Sequence, residues 1–197
     1  MRRVILSVNI TMNGLMAGPS GELNWHYAHW NDEMAEESHK LLTKVDAIVA
    51  GRVTYQATIA HWSQVAVSPV SSVADRNYAR TICILPKIVF STTLKEVSKH
   101  QSRLAKAGLL EEINTLKQQP GKDIISWGGV NMAHSLIKTG LVDTYLLWVA
   151  PVILEKGIPL FTDVVDRPKT RPIKTKTFSN GVVLYYYKTE KLNKLDN

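Results

Sequence analysis

A short apolar run, two adjacent glycines and an amphipathic stretch closed by a third glycine, IISWGGVNMAHSLIKTG at residues 124–140, restrict this chain more than any other feature. Residues 124–127 read as a buried strand, and Gly128 and Gly129 as the turn that leaves it. Val130, Ala133, Leu136 and Ile137 then share one face of a helix that ends with Gly140 at its C′ position. A strand that runs through glycines into a helix is the repeating unit of an α/β sheet. It leaves free N–H groups and the positive end of a helix dipole beside backbone that a ligand can approach closely. The same pattern also serves as plain strand-to-helix punctuation, so the rest of the chain has to decide between the two.

The alternation recurs along the chain. Residues 3–11 are rich in Val, Ile and Leu and read as a buried strand, followed by a long loop, MNGLMAGPSGEL, with three glycines and a proline. The cluster Asn24, Trp25, His26, Tyr27, His29 and Trp30 either lines a pocket for a flat ring or caps the edge of the core. Asn31 or Asp32 caps a helix to about residue 44, with Glu33, Glu36 and Glu37 near its start. Residues 47–50 form a short buried strand, and Gly51 opens a second glycine-to-helix turn, GRVTYQATI. Arg52 and Thr54 fall in its first turn, a cation and a hydroxyl that form a phosphate corner or, for Arg52, simply reach solvent.

Further on, residues 63–72 read as loop and 73–81 as a short helix. The strand KIVFS at residues 87–91 delivers three hydroxyls, Ser91, Thr92 and Thr93, to its carboxyl end, where ligands of open α/β sheets collect; a hydroxyl cap on the next turn is the competing reading. Helical spacing extends over residues 102–118, and VDTYLLWVAPVIL at 142–154 reads as a central strand that Pro151 ends. Residues 175–178 and 182–187 flank Asn180 and Gly181, a strong hairpin signal. The expected fold is an α/β three-layer sandwich: a mostly parallel central sheet flanked by helices, with an antiparallel C-terminal hairpin.

At 197 residues, with 45% hydrophobic and 21% charged residues, one domain over 1–188 with a polar tail at 189–197 accounts for the chain. The lone Cys83 has no intramolecular disulfide partner, MRRVILSVNI lacks a signal-peptide layout, and no apolar run approaches the roughly 20 residues that cross a bilayer. A cytoplasmic protein with no membrane partner is expected. The net charge of +7 comes from scattered residues, and its densest stretch, 167–176, holds two prolines and no aromatics, so nucleic acid is not the expected partner. No HExxH, GxSxG or GxxxxGK[ST] motif and no thiolate cluster is present, and no metal is expected. Polar groups arranged for holding suit an enzyme whose reactive atom belongs to a cofactor.

The segments TMNGLMAGPSGELNW, VAGRVTY, KIVFSTTL and WGGVNMAHSLIKTGLVD, in this order and spacing, resemble the successive motifs of the dihydrofolate-reductase-like superfamily. The resemblance is to the branch named for the C-terminal reductase domain of the bifunctional riboflavin-biosynthesis deaminase-reductase, and it runs from about residue 3 to 188. It implies a homodimer that binds NADPH and a small-molecule substrate. By this likeness Gly128 and Gly129, with Val130, Asn131, Met132 and Ala133, hold the pyrophosphate. Gly51, Arg52 and Thr54 lie on the adenosine side, Ser91, Thr92 and Thr93 near the 2′-phosphate, and Asn9, Ile10 and Trp25 around the nicotinamide.

Two departures bear on the substrate. Asn13 precedes Gly14 where the family usually has Asp, and Ser126 and Trp127 stand where the riboflavin enzymes tend to carry an acid. Asn13, Trp25, Glu37 and Ser126 are the substrate-side candidates, Trp127 reading either as a wall for a flatter, more apolar substrate or as core. No catalytic residue stands out; water supplies the proton, with Glu36 or Glu37 as distant candidates. The expected activity is NADPH-dependent reduction of a small heterocyclic or sugar-like substrate, the family reaction on 5-amino-6-(5-phosphoribosylamino)uracil included. A pterin reductase and a catalytically inactive dinucleotide-binding protein are the alternatives.

Overall fold

Strands too apolar for any exposed face, such as VILSVNIT and VDAIVAG, need helices on both sides, and the chain supplies them in alternation. The computed structural model describes residues 1–97, 101–162 and 169–190. In chain order these form β1 (Val4–Thr11), β2 (Leu15–Ala17), α1 (Asn24–Tyr27), α2 (Asp32–Leu42), β3 (Val45–Gly51) and α3 (Arg52–Val65). Next come α4 (Val73–Ile84), β4 (Lys87–Phe90), β5 (Ser102–Leu104), α5 (Leu109–Gln118) and β6 (Asp123–Trp127). The last are α6 (Val130–Lys138), β7 (Thr144–Ala150), β8 (Ile158–Pro159), β9 (Thr170–Thr177) and β10 (Val183–Thr189).

Eight strands make one sheet in the order β5-β4-β3-β6-β1-β7-β10-β9. Every neighbouring pair from β5 to β7 is parallel, and β10 and β9 add an antiparallel end, as expected for the fold class. Alternation along β1 divides the two faces. Val4, Leu6, Val8 and Ile10 pack against α5 and α6 through Ile113, Leu116, Ala133 and Leu136. Ile5 faces the other way, with Leu42, Tyr78, Ile82 and Ile125 on the side covered by α2 and α4.

Local chemistry sets the boundaries. The Asn31 side chain accepts from the Met34 N–H at 3.0 Å and Ser72 from the Asp75 N–H at 3.0 Å, capping α2 and α4. In the β9–β10 hairpin Gly181 takes φ +84°, and Asn180 Oδ1 accepts from Val182 N–H at 3.1 Å.

Five expectations change. Residues 102–118 are not one helix: Ser102–Leu104 forms β5 against β4, and α5 begins only after Gly108. Glu112 explains the break, because its carboxylate accepts from the Lys106 and Ala107 N–H groups and from Arg103, folding the intervening loop back on the helix. The loop after β1 contains β2, which pairs with β8, and residues 24–27 form one helical turn. The helix begun at Arg52 runs on to Val65, into the expected loop, and β9 starts five residues earlier than read. Most of the expected polar tail lies outside the described residues.

Glu37 ties α2 to the hairpin. It accepts from Tyr186 Oη at 2.7 Å and pairs with Lys176 Nζ at 2.8 Å. Burial alone would raise its carboxyl pKa, but the hydrogen bonds from Lys176 and Tyr186 and the charges of Lys176 and Lys174 carry it below its ordinary 4.5. A carboxylate whose folded pKa is depressed stabilises above its unfolded value and loses that contribution as pH falls through the folded one. Urea midpoints of wild type and Glu37→Gln should therefore differ most at pH 7 and converge at acid pH; a pH-independent gap would remove this role.

Gly128 imposes a second requirement. A Cβ there would strike Val8 Cγ1 and lie 3.0 Å from Ala133 Cβ and 3.2 Å from Leu6 Cδ1. Gly128→Ala should cost about 1–3 kcal/mol of stability, the usual range for overpacking a core, read as a lowered urea midpoint; an unchanged midpoint would show slack between β6 and β1.

Candidate functional site

Of the adjacent parallel strands β3 and β6, the first ends at Gly51 and the second is followed directly by Gly128 and Gly129, and helices leave from both. Gly51 is the N-cap of α3 (φ −77°, ψ 163°) and Gly129 that of α6 (φ −69°, ψ 149°), and neither helix start has a side-chain cap. Their first-turn N–H groups are therefore left for solvent or a ligand. The two starts are in contact: a Cβ on Gly129 would strike Thr54 Oγ1, from the first turn of α3. Arg52, exposed beside them, bonds Gln56 Oε1 at 3.2 Å. At the end of β4, Ser91 Oγ accepts from the N–H groups of Thr93 and Leu94 at 3.1 and 2.9 Å. Ser91 thus caps its own turn, the competing reading made from sequence, while Thr92 and Thr93 remain exposed.

These strand ends open into one cavity of about 1240 Å³, more than a single drug-sized ligand fills. Gly51, Arg52, Thr54, Ser91–Thr93, Gly128, Gly129, Val130, Asn131 and Met132 all line it, so the separate sequence segments do converge. Asn9 joins them from β1. Away from the helix starts the cavity runs along α3 to His61 and Trp62 and is walled by His26, Tyr27, Trp30, Tyr78 and Trp127. Trp30, Trp62 and Tyr78 pack ring to ring, with centroids 5.7 Å (Trp30–Trp62), 5.6 Å (Trp30–Tyr78) and 4.7 Å (Trp62–Tyr78) apart. Trp30 Nε1 donates to Asp75 Oδ1 at 2.9 Å, which fixes the ring. Burial, with a smaller contribution from His29, pushes the His26 pKa down to about 4, so this imidazole is neutral at pH 7.

Other candidates lie elsewhere. Ile10 and Ala133 point into the α5–α6 core. Trp25 is buried with Trp148 and Phe178, its Nε1 without a hydrogen-bond partner among the described residues. Ser126 is fully buried and its hydroxyl is likewise unpartnered. Glu37 is engaged with the hairpin and does not line the cavity, and Glu36 lies 4.0 Å from Lys40 on the exposed side of α2.

Asn13 bridges Leu154, donating through Nδ2 to the carbonyl at 2.8 Å and accepting the N–H at 3.4 Å, while Thr11 Oγ1 donates to it at 2.8 Å. An aspartate could not donate to that carbonyl, so the amide at this position has a structural use. His61, Trp62 and Tyr78 were not singled out from sequence. They come from two helices distant from residues 24–30, and only the packing of α3 on α4 brings them to that cluster.

Among the described residues no group of three or more His, Cys, Asp or Glu could hold a metal ion, and no helix is long and apolar enough to cross a membrane.

Comparison with known proteins places this geometry. Residues 2–184 match the family described as the RibD C-terminal domain. YyaP, an uncharacterised protein of Bacillus subtilis (strain 168), is 33% identical over 186 residues, covering 94% of each chain. Among solved structures, a putative riboflavin biosynthesis protein from Shewanella sp. PV-4 superposes with a TM-score of 0.73 at 21% identity, over 96% of this chain and 99% of that one. A dihydrofolate reductase from Enterococcus faecalis, complexed with NADP(H), superposes with a TM-score of 0.60 at 13% identity, over 96% and 97%. These likenesses are likenesses of fold, and the match over nearly the whole length settles the family: this chain belongs to the RibD C-terminal domain family.

Proposed function

We propose that this protein is an NADPH-dependent reductase of a small heterocyclic or sugar-like substrate. The observation that carries this reading is the pair of uncapped helix starts held side by side, with Arg52 and Thr54, at one end of a cavity with room for a dinucleotide and a second molecule. Helix starts of this kind bind phosphate through backbone N–H groups and the dipole, and an arginine adds charge-assisted hydrogen bonds. The N–H groups opening α6 and α3, with Arg52, would hold the phosphates, and Thr92 and Thr93 offer hydroxyls beside them. The cavity floor around Asn9 and Trp127 would face the nicotinamide.

Bound NADPH would supply a hydride for an electron-poor C=N or C=O carbon of the substrate. The chain's part is to hold the two reactants together and exclude bulk water. Since no Asp or Glu is among the described residues lining the cavity, the proton that completes the reduction comes from water. Family membership makes 5-amino-6-(5-phosphoribosylamino)uracil the first substrate to test. A homodimer belongs to the same proposal and is checked by light scattering. A protein that binds the dinucleotide without turnover is the second reading, favoured by the absence of a carboxylate from the described residues that line the cavity and by the use of Asn13 in the loop.

NADPH should raise the melting temperature of the protein. Arg52→Ala should weaken it about tenfold, the lower end for a lost charge-assisted bond, and reduce the salt dependence of binding. Gly129→Ala, whose Cβ would strike Thr54 Oγ1, should weaken NADPH while lowering the melting temperature of the free protein by no more than Gly128→Ala does. NADPH binding without its oxidation by the ribosylaminouracil, dihydrofolate, a panel of small carbonyl compounds or uncharged planar heteroaromatic rings would favour the second reading. Absence of binding would remove both.

A further inference from the structure

The cavity has two chemically different ends, and α3 measures the distance between them. Arg52 and Thr54 lie in its first turn and Trp62 lies ten residues after Arg52, about 15 Å along a helix. Arg52 is the only Lys, Arg, Asp or Glu among the described residues that line the cavity. The far end has none. Its walls are Tyr27, Trp30, His61, Trp62, Tyr78 and Trp127, with His26 neutral at pH 7. The Asp75 carboxylate accepts from Trp30 Nε1 and is not part of the lining.

We propose that this aromatic end selects an uncharged, planar aromatic ring as the second ligand, and that it disfavours substrates carrying a phosphate or carboxylate. The inference rests on the reductase reading for the role of that ligand but on the cavity lining alone for its chemistry. Flat rings gain from offset or edge contacts with aromatic walls. A phosphate or carboxylate taken to this end finds no cation among the described lining residues, and an ionised group buried without a partner is costly. Aminopyrimidine donors likewise meet no carboxylate there.

The test uses quinoxaline, an uncharged bicyclic ring, against quinoxaline-2-carboxylate, the same ring with one charge, each titrated into the protein by tryptophan fluorescence and thermal shift. Four of the five tryptophans line the cavity, so binding there quenches directly. Quinoxaline should bind saturably and the carboxylate on the order of tenfold more weakly or worse. Trp62→Leu should weaken quinoxaline roughly three- to tenfold. Tyr27→Ala, at a position 66% exposed where truncation does not threaten the fold, should weaken it in the same direction.

Equal or tighter binding of the carboxylate, no binding of either ring, or wild-type affinity in both variants would overturn the proposal. A parallel NADPH titration separates the two claims. If quinoxaline binds with the stated selectivity and NADPH does not, the reductase reading falls and the aromatic site stands; if NADPH binds and the carboxylate is preferred, the reverse holds.

Discussion

The contact of Gly128 with Val8 is the constraint on which the rest depends. Because Gly128 has no side chain, β6 can deliver its turn directly against the core side of β1, and Gly129 after it lets α6 start against Thr54 of α3. Register on both sides of β6 fixes the neighbours: Ser7 of β1 lies opposite Trp127, and Val49 of β3 opposite Ser126. Two helix dipoles thus point at one place on the sheet edge. The adjacent glycines divide the work. Gly128 is needed for packing between strands, whereas Gly129 keeps the space in front of Thr54 open.

From that junction the cavity extends over the face of the sheet covered by α2 and α4. Its polar end is made of backbone and hydroxyl groups at strand ends, positioned by buried strands that have little freedom to move. Its other end is made of rings contributed by α1, α3, α4 and β6, held by ring-to-ring contacts and by the Trp30–Asp75 hydrogen bond. The contrast between the ends gives the cavity a direction: Arg52 and free N–H groups where the helices begin, uncharged rings where the aromatics gather.

Much of this was legible in the sequence, for physical reasons that also mark its limits. Glycine before an amphipathic run identified both helix starts at Gly51 and Gly129, since the signal is local. The hairpin was equally clear from Asn180 and Gly181. The strand Ser102–Leu104 was not, because its leucine fits helical spacing as well as a strand, and only the long-range pairing with β4 and the capture of the loop by Glu112 decide it. Glu37 looked free for chemistry on a helix wheel; its partners Lys176 and Tyr186 are 139 and 149 residues away along the chain and invisible to local reading. Asn13 looked like a lost carboxylate until its amide was seen to span both backbone groups of Leu154. The aromatic wall was half visible, in Tyr27 and Trp30, and half hidden in Trp62 and Tyr78.

The most direct test of the central claim is a crystal structure of the protein with NADPH. The account predicts the pyrophosphate oxygens within hydrogen-bond distance of the N–H groups that open α6, with Arg52 beside a phosphate and the nicotinamide over Asn9 and Trp127. A dinucleotide bound instead in the groove lined by Arg2, Arg3, Asp143, Arg171, Lys188 and Glu190, at the amino end of β1, would contradict it.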